Sequence, residues 1–233
     1  MKALALALAF GFPATQAAAA ECRLALALGL DVSSSVDPQE YALQRDGLAA
    51  ALLSQQVKEA LFSGDPRWVA IAVYEWSGRW QQAMVLDWTP IRNDMDLTLA
   101  AERIASAQRS YQDYPTALGA ALGFGSTLLD RGPACDRRTL DISGDGVNNE
   151  AFAPSDAYRA FPFGDTLVNG LVITGSDPNV AQFYMSHVLR GPGAFLEQAG
   201  DYRDYEEAMA RKLRREIGFA IIGAAAQPDG EEG

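Results

Sequence analysis

The chain has 233 residues, of which 48% are hydrophobic and 21% charged, with a formal net charge of −11. That composition excludes an intrinsically disordered chain, and the acidic surplus argues against a nucleic-acid binder, which needs clustered Lys and Arg. The length fits one large domain or two small ones, and no shift of composition divides it.

Met1 to Ala20 reads as a secretory signal peptide: Lys2 gives a positive start, Ala3 to Phe12 a short apolar run, and Ala17 to Ala20 small residues for cleavage. The mature chain is expected to begin near Glu21, and Glu21 directly before Cys22 argues against a lipid anchor. Neither the leader nor the run Phe219 to Ala226 is long enough to span a bilayer. A soluble protein of the periplasm or the extracellular medium is expected.

The apolar run Leu24 to Leu30 predicts a strand that ends on Asp31-Val32-Ser33-Ser34-Ser35. Asp31, Ser33 and Ser35 alternate, so a sharp turn would bring one carboxylate and two hydroxyls to one point, an oxygen set suited to a small hard cation. An Asx or Ser turn that caps a helix accounts for the same residues. Asp37-Pro38-Gln39-Glu40 predicts a helix start, with Asp37 as N-cap and Glu40 reaching back. The following apolar stripe runs from Tyr41 to Leu53, and Gly64-Asp65-Pro66 ends the region.

Trp68 to Trp76 is almost continuously apolar, as a strand covered on both faces should be. Ser77-Gly78 permits a reversal into Trp80 to Trp88, which predicts a hairpin with an antiparallel edge strand. Asn93 to Gln108 has helical spacing, and a second helix is expected after Pro115 with Thr116 in its first turn. Thr116 there could cap or coordinate. Gly119, Ala120, Ala121 and Gly123 would let that helix approach the sheet closely.

Arg137 to Ile142 predicts the next strand, followed by Gly144-Asp145-Gly146, whose glycines tolerate the backbone angles of a tight bend. Asn148, Asn149 and Glu150 continue that rim. A fifth strand is expected over Thr166 to Thr174, a helix over Pro178 to Leu189 with a structural His187, and a short sixth strand over Gly193 to Gln198. Tyr202 to Ile217 predicts the last helix, its basic residues Arg211, Lys212, Arg214 and Arg215 forming a solvated face near the C-terminal end. Residues 219–233 are expected to form a C-terminal tail, those after Ala226 having tail composition.

Three segments in order, Asp31 to Ser35, Tyr114 to Leu122 and Leu140 to Gly146, resemble the three loops of the metal-ion-dependent adhesion site of von Willebrand factor A domains. The resemblance covers about Cys22 to Gly218. It is nearest to an uncharacterised family of short secreted bacterial A-domain-like proteins, on the segments Leu43 to Gly47 and Gly144 to Asn149. It implies a three-layer, doubly wound α/β fold with a mostly parallel six-stranded sheet and one antiparallel edge strand.

It also implies that Ser33, Ser35 and Thr116 coordinate Mg²⁺, with Mn²⁺ or Ca²⁺ as alternatives, while Asp31 and Asp145 supply charge directly or through water. The open coordination position would take an Asp or Glu carboxylate of a partner protein. In that layout the hairpin tip lies at the metal end, which makes Trp76, Arg79 and Trp80 candidate partner contacts alongside Asn148 and Asn149. Packing on the sheet is the alternative for the tryptophans.

Cys22 lies nine residues before Asp31 and Cys135 ten before Asp145. If both Asp residues sit at the same end of neighbouring parallel strands, a Cys22–Cys135 disulfide at the opposite end is expected. A metal-dependent phosphate-ester hydrolase and a scaffold with a vestigial site remain as rival functions. Against the hydrolase stand the lack of a second Asp two residues after Asp31, of a Gly-x-Ser-x-Gly elbow and of a histidine near the loops.

Overall fold

Alternation along the first strand fixes the two faces of the sheet. In β1 (Cys22–Asp31) Leu24, Leu26, Leu28 and Leu30 point to one side, and Ala25, Ala27 and Gly29 to the other. Every residue of β1 is buried, as expected of a strand with a helix layer on each face. The computed structural model describes residues 22–175 and 177–224. The expected leader lies outside the described residues.

The large leucines face α1 (Pro38–Leu53), α3 (Asp94–Ala105) and α7 (Tyr205–Ala224), with α2 (Gln55–Phe62) beside α7. The small face receives α4 (Leu118–Asp130), with α5 (Pro154–Ala160) and α6 (Val180–His187) completing that layer. The remaining strands are β2 (Trp68–Trp76), β3 (Gln82–Ile91), β4 (Arg138–Gly144), β5 (Leu167–Ile173) and β6 (Leu196–Ala199). Their order in the sheet is β3-β2-β1-β4-β5-β6, with only β3 antiparallel to its neighbour. This is the expected doubly wound, three-layer architecture.

Strand order reverses between β1 and β4, so the crevice at their carboxyl ends is where such a sheet binds ligands. Leu30 pairs with Ser143, which sets Asp31 level with Gly144. At the opposite end Cys22 and Cys135 form the expected disulfide, bridging residues 113 apart in sequence. Closing so long a loop contributes about 4 to 5 kcal/mol in the chain-entropy account. Nearby, the buried guanidinium of Arg23 donates to the carbonyls of Ala60, Leu61, Arg67 and Ile217 at 2.9–3.0 Å.

Asp37 caps α1 as the sequence suggests: its carboxylate accepts from the N–H groups of Gln39 and Glu40, and Glu40 reaches back to the Asp37 N–H. Other details differ. The stripe from Tyr41 to Leu53 falls within α1, but α2 and α5 have no counterpart in the sequence reading, and α7 runs on to Ala224 beyond the expected end at Ile217. The basic cluster on α7 is not wholly a solvated face. Lys212 is 0% exposed, with its Nζ 2.9 Å from Asp141 Oδ1 and 2.7 Å from Glu216 Oε1.

Asn169 on β5 donates to the same Glu216 oxygen at 2.7 Å. Lys212 thus belongs to a buried polar group between α7 and the sheet. Helical spacing puts it on the inward side with Tyr205, Met209 and Leu213.

Candidate metal centre

Three loops meet at the carboxyl end of β1. Asp31 closes the strand and is wholly buried, and its Oδ1 accepts from the Ser33 N–H at 2.7 Å, so the chain turns back over its own carboxylate. That turn points Ser33 Oγ towards Ser35 Oγ, 3.1 Å away, and Ser35 Oγ donates to Asp145 Oδ1 at 2.7 Å. Thr116 Oγ1 donates to Ser33 Oγ at 3.3 Å. Asp31, Ser33, Ser35, Thr116 and Asp145 therefore form one continuous hydrogen-bonded cluster, entered from solvent at the exposed Ser34 and Ser35.

Thr116 does not lie in the first turn of α4. It precedes the N-cap, Ala117, and is held from both sides. Its N–H donates to Asn149 Oδ1 at 2.9 Å, its carbonyl accepts from the Asn149 N–H at 2.9 Å, and the Ala117 N–H donates to the Ser77 carbonyl at 2.8 Å. Asn148 Oδ1 in turn accepts from the Gly119 N–H at 3.2 Å, one of the unpaired donors at the start of α4. Both asparagines thus tie the third loop to the second through their side-chain oxygens.

The glycines around Asp145 work differently from the sequence expectation. Neither Gly144 nor Gly146 adopts a positive φ among the described residues. At Gly144 the requirement is space: a Cβ there would sit 2.8 Å from Asp31 Oδ2 and 2.8 Å from the Tyr184 hydroxyl. Residue 144 must therefore be glycine for Asp31 to lie beside β4.

Two oxygens of this cluster are buried without a hydrogen-bond partner, Asp31 Oδ2 and Asp145 Oδ2. Burial, and then the neighbouring Asp145 charge, push the Asp31 carboxyl up to about 7, against the opposing hydrogen bonds from Ser33. Arg109 is the near cation, but its Nη2 is engaged by the carbonyls of Val32 and Ser33 at 2.9 and 3.0 Å. Two carboxylates with orphaned oxygens, set among three hydroxyls, suit a hard divalent cation. No cluster of three or more His, Cys, Asp or Glu side chains placed to hold a metal occurs among the described residues, so hydroxyls would have to complete this set. His187 is exposed on α6 against Phe183.

Supporting residues escaped the sequence reading. Gln44 Nε2 donates to the Asp31 carbonyl at 2.8 Å, and Glu75 accepts from Tyr41 OH and from the Ser110 N–H at 2.7 Å each. A polar Gln44 within the apolar stripe of α1, three residues after Tyr41 and four before Leu48, was the available signal. At the hairpin tip, Arg79 and Trp80 are exposed, Trp80 at 79%. Trp76 is 0% exposed and packs in the core under α4, because its strand position turns the ring inward; it is a core residue and not a partner contact.

Over residues 21–220 the chain matches the family described as "Protein of unknown function (DUF1194)". No curated protein matches it. Among solved structures, it is similar to a von Willebrand factor type A protein from Catenulispora acidiphila, with 16% identity and a TM-score of 0.57 over 84% of this chain and 42% of that one. Proximal thread matrix protein 1 from the mussel byssus, in a structure "with zinc occupied MIDAS motif", aligns at 14% identity and a TM-score of 0.60 over 83% of this chain and 46% of that one. The PilB minor pilin from Streptococcus sanguinis aligns at 12% and 0.62, over 88% and 63%. The chain spans less than two thirds of each of these three proteins, and at such identities the likeness shows the fold. By its family match and its sheet topology, the chain belongs to the DUF1194 family and has a von Willebrand factor A fold.

Proposed function

We propose that the chain is a secreted, metal-ion-dependent protein-binding module of the adhesion type. The observation that carries this reading is the pair of buried, unpartnered carboxylate oxygens of Asp31 and Asp145 beside three hydroxyls. Ser33, Ser35 and Thr116 would hold the ion through their oxygens, and Asp31 and Asp145 would balance its charge. Mg²⁺ is the ion favoured, with Mn²⁺ or Ca²⁺ as alternatives.

When bound, the cation supplies an attachment point for an Asp or Glu carboxylate of a partner protein. The chain's own residues do the rest. Asn149 fixes the backbone of Thr116, Arg109 clamps the turn after Asp31, and burial keeps water from competing for the inner oxygens. Arg79 and Trp80, exposed at the hairpin tip, would contact the partner beside the ion.

Adhesin-type and structural neighbours of this fold support a non-enzymatic role, the pilus adhesin SpaC from Lactobacillus rhamnosus GG among them. Among the described residues no helix is long and apolar enough to cross a membrane. Release from the Met1 to Ala20 leader into the periplasm or beyond completes the proposal.

Isothermal titration with Mg²⁺ and Mn²⁺ tests it directly. Heat is expected from the native chain and none from Asp31→Ala. Partner capture from a periplasmic extract should vanish in EDTA; a folded native chain that takes up neither ion, or capture that persists in chelator, would overturn the reading.

A further inference from the structure

Beside the hairpin tip lies a groove of about 340 Å³ that shares Arg79 and Trp80 with the partner surface proposed above and is otherwise lined by residues outside the metal cluster. Its walls are aromatic: Trp80, Phe124, Phe152 and Phe161, the last two stacked with centroids 6.0 Å apart. Small residues of α4, Ala120 and Gly123, form the floor, and a Cβ on Gly123 would meet the Phe161 ring at 2.7 Å. The volume falls at the lower end of small-ligand sites, which are mostly apolar with a few placed polar groups. Trp80 leaves 79% of its surface in water at this rim, an exposure that gains nothing unless something covers the ring.

Charge identifies the occupant. The chain has 30 acidic and 19 basic residues, yet the groove is lined by Arg79 and by no carboxylate. The Arg79 guanidinium has no hydrogen bond or ion pair among the described residues; only its backbone is engaged, its N–H donating to Glu150 Oε2 at 2.9 Å and its carbonyl accepting from Gln82 Nε2 at 3.4 Å. A planar apolar body would lie against the rings while one negative group meets the fork of the guanidinium.

We propose that this groove binds a small aromatic anion, a flat ring system with one carboxylate or a group of like charge. The site is separate from the metal cluster, and its occupancy does not depend on the ion.

The probes are 2-naphthoate, its neutral amide and 2-naphthylmethylamine, titrated in EDTA and followed by ligand-observed NMR and calorimetry. Naphthoate should bind about threefold to fivefold more tightly than the amide, the range of an exposed ion pair, and the amine weakest of the three. Arg79→Gln should make naphthoate and amide equal. Trp80→Ala should weaken all three, and Thr127→Trp, which fills the groove, should abolish all three, with circular dichroism confirming the fold of each variant. Should Thr127→Trp not fold, Trp80→Ala carries that arm alone. The proposal is overturned if the native chain binds none of the probes, if acid and amine bind equally, or if folded groove variants bind undiminished. Self-association that buries Trp80 would also overturn it, making a second copy the occupant.

Discussion

Strand β4 and the loop after it carry two buried carboxylates, Asp141 and Asp145, and the molecule treats them in opposite ways. Asp141 shares its pocket with Glu216 and with Lys212, an ammonium from the chain itself. Lys212 is held in its charged form: burial opposes this, but the two carboxylates outweigh it. Burial raises Asp141 to about 7 even so, with Lys212 opposing and Glu216 adding to the rise. The trio therefore sets one ammonium of the chain against two buried carboxyl groups. Both clusters leave carboxylate oxygens without a hydrogen-bond donor, but Asp145 sits with Asp31, where the chain supplies hydroxyls and, among the described residues, no ion-paired cation. The first pair receives its counter-charge from Lys212 on folding; under the proposed function the second would take its counter-charge from outside.

The sharpest way to break this contrast is to remove the internal cation. Lys212→Met should destabilise the fold by about 3 to 5 kcal/mol, because it strands a buried carboxylate pair. Urea denaturation would show the loss, while Mg²⁺ affinity per folded molecule should stay unchanged.

Replacing both Cys22 and Cys135 by Ala should remove about 2 to 5 kcal/mol, again without altering ion affinity measured by titration. Asp31→Asn should act in the reverse sense. It relieves the buried repulsion, so the ion-free chain gains on the order of 1 kcal/mol near neutral pH, while the thermal shift caused by Mg²⁺ disappears.

The pH response separates the two clusters. The folded Asp31 carboxyl, at about 7, titrates above its ordinary value of 3.8. The folded state therefore holds the proton longer, and in chelator stability is full below the ordinary value and falls as pH rises towards the folded one. Saturating Mg²⁺ should cancel the part of that fall due to Asp31 and leave the part due to Asp141, which is also raised to about 7. Thermal melts in both conditions check this; an identical fall with and without the ion would break the comparison. The smallest effect is expected from Ser35→Ala, which loses one oxygen and the bond to Asp145 and should weaken Mg²⁺ about tenfold with little change in stability.

The sequence made the site visible because its parts lie at strand ends and in short loops, where type and position suffice. Asp31 follows seven apolar residues, and Asp145 stands between two glycines. The disulfide was legible for the same reason, since nearly equal offsets of nine and ten residues from two strand ends define a common foot. Lys212 was not. Charge pattern alone assigned it to solvent, and only the fold shows that Asp141 of β4, far away in the chain, joins Glu216, one turn along α7, as its partner. Trp76 was misjudged because the buried end of the strand and the exposed hairpin tip, which begins at Arg79, are only three residues apart in sequence. Gln44 was hidden inside an apolar period, its partner being a backbone carbonyl that no side-chain pattern records.

The crosslink between Cys22 and Cys135 sits at the far end of β1 from Asp31, about 30 Å away along a ten-residue strand. Under the proposed function, reducing conditions would therefore shorten the working life of the molecule without loosening its hold on an ion, and depletion of the ion would release a partner from a molecule still intact. Surroundings can tune endurance and attachment by two separate handles.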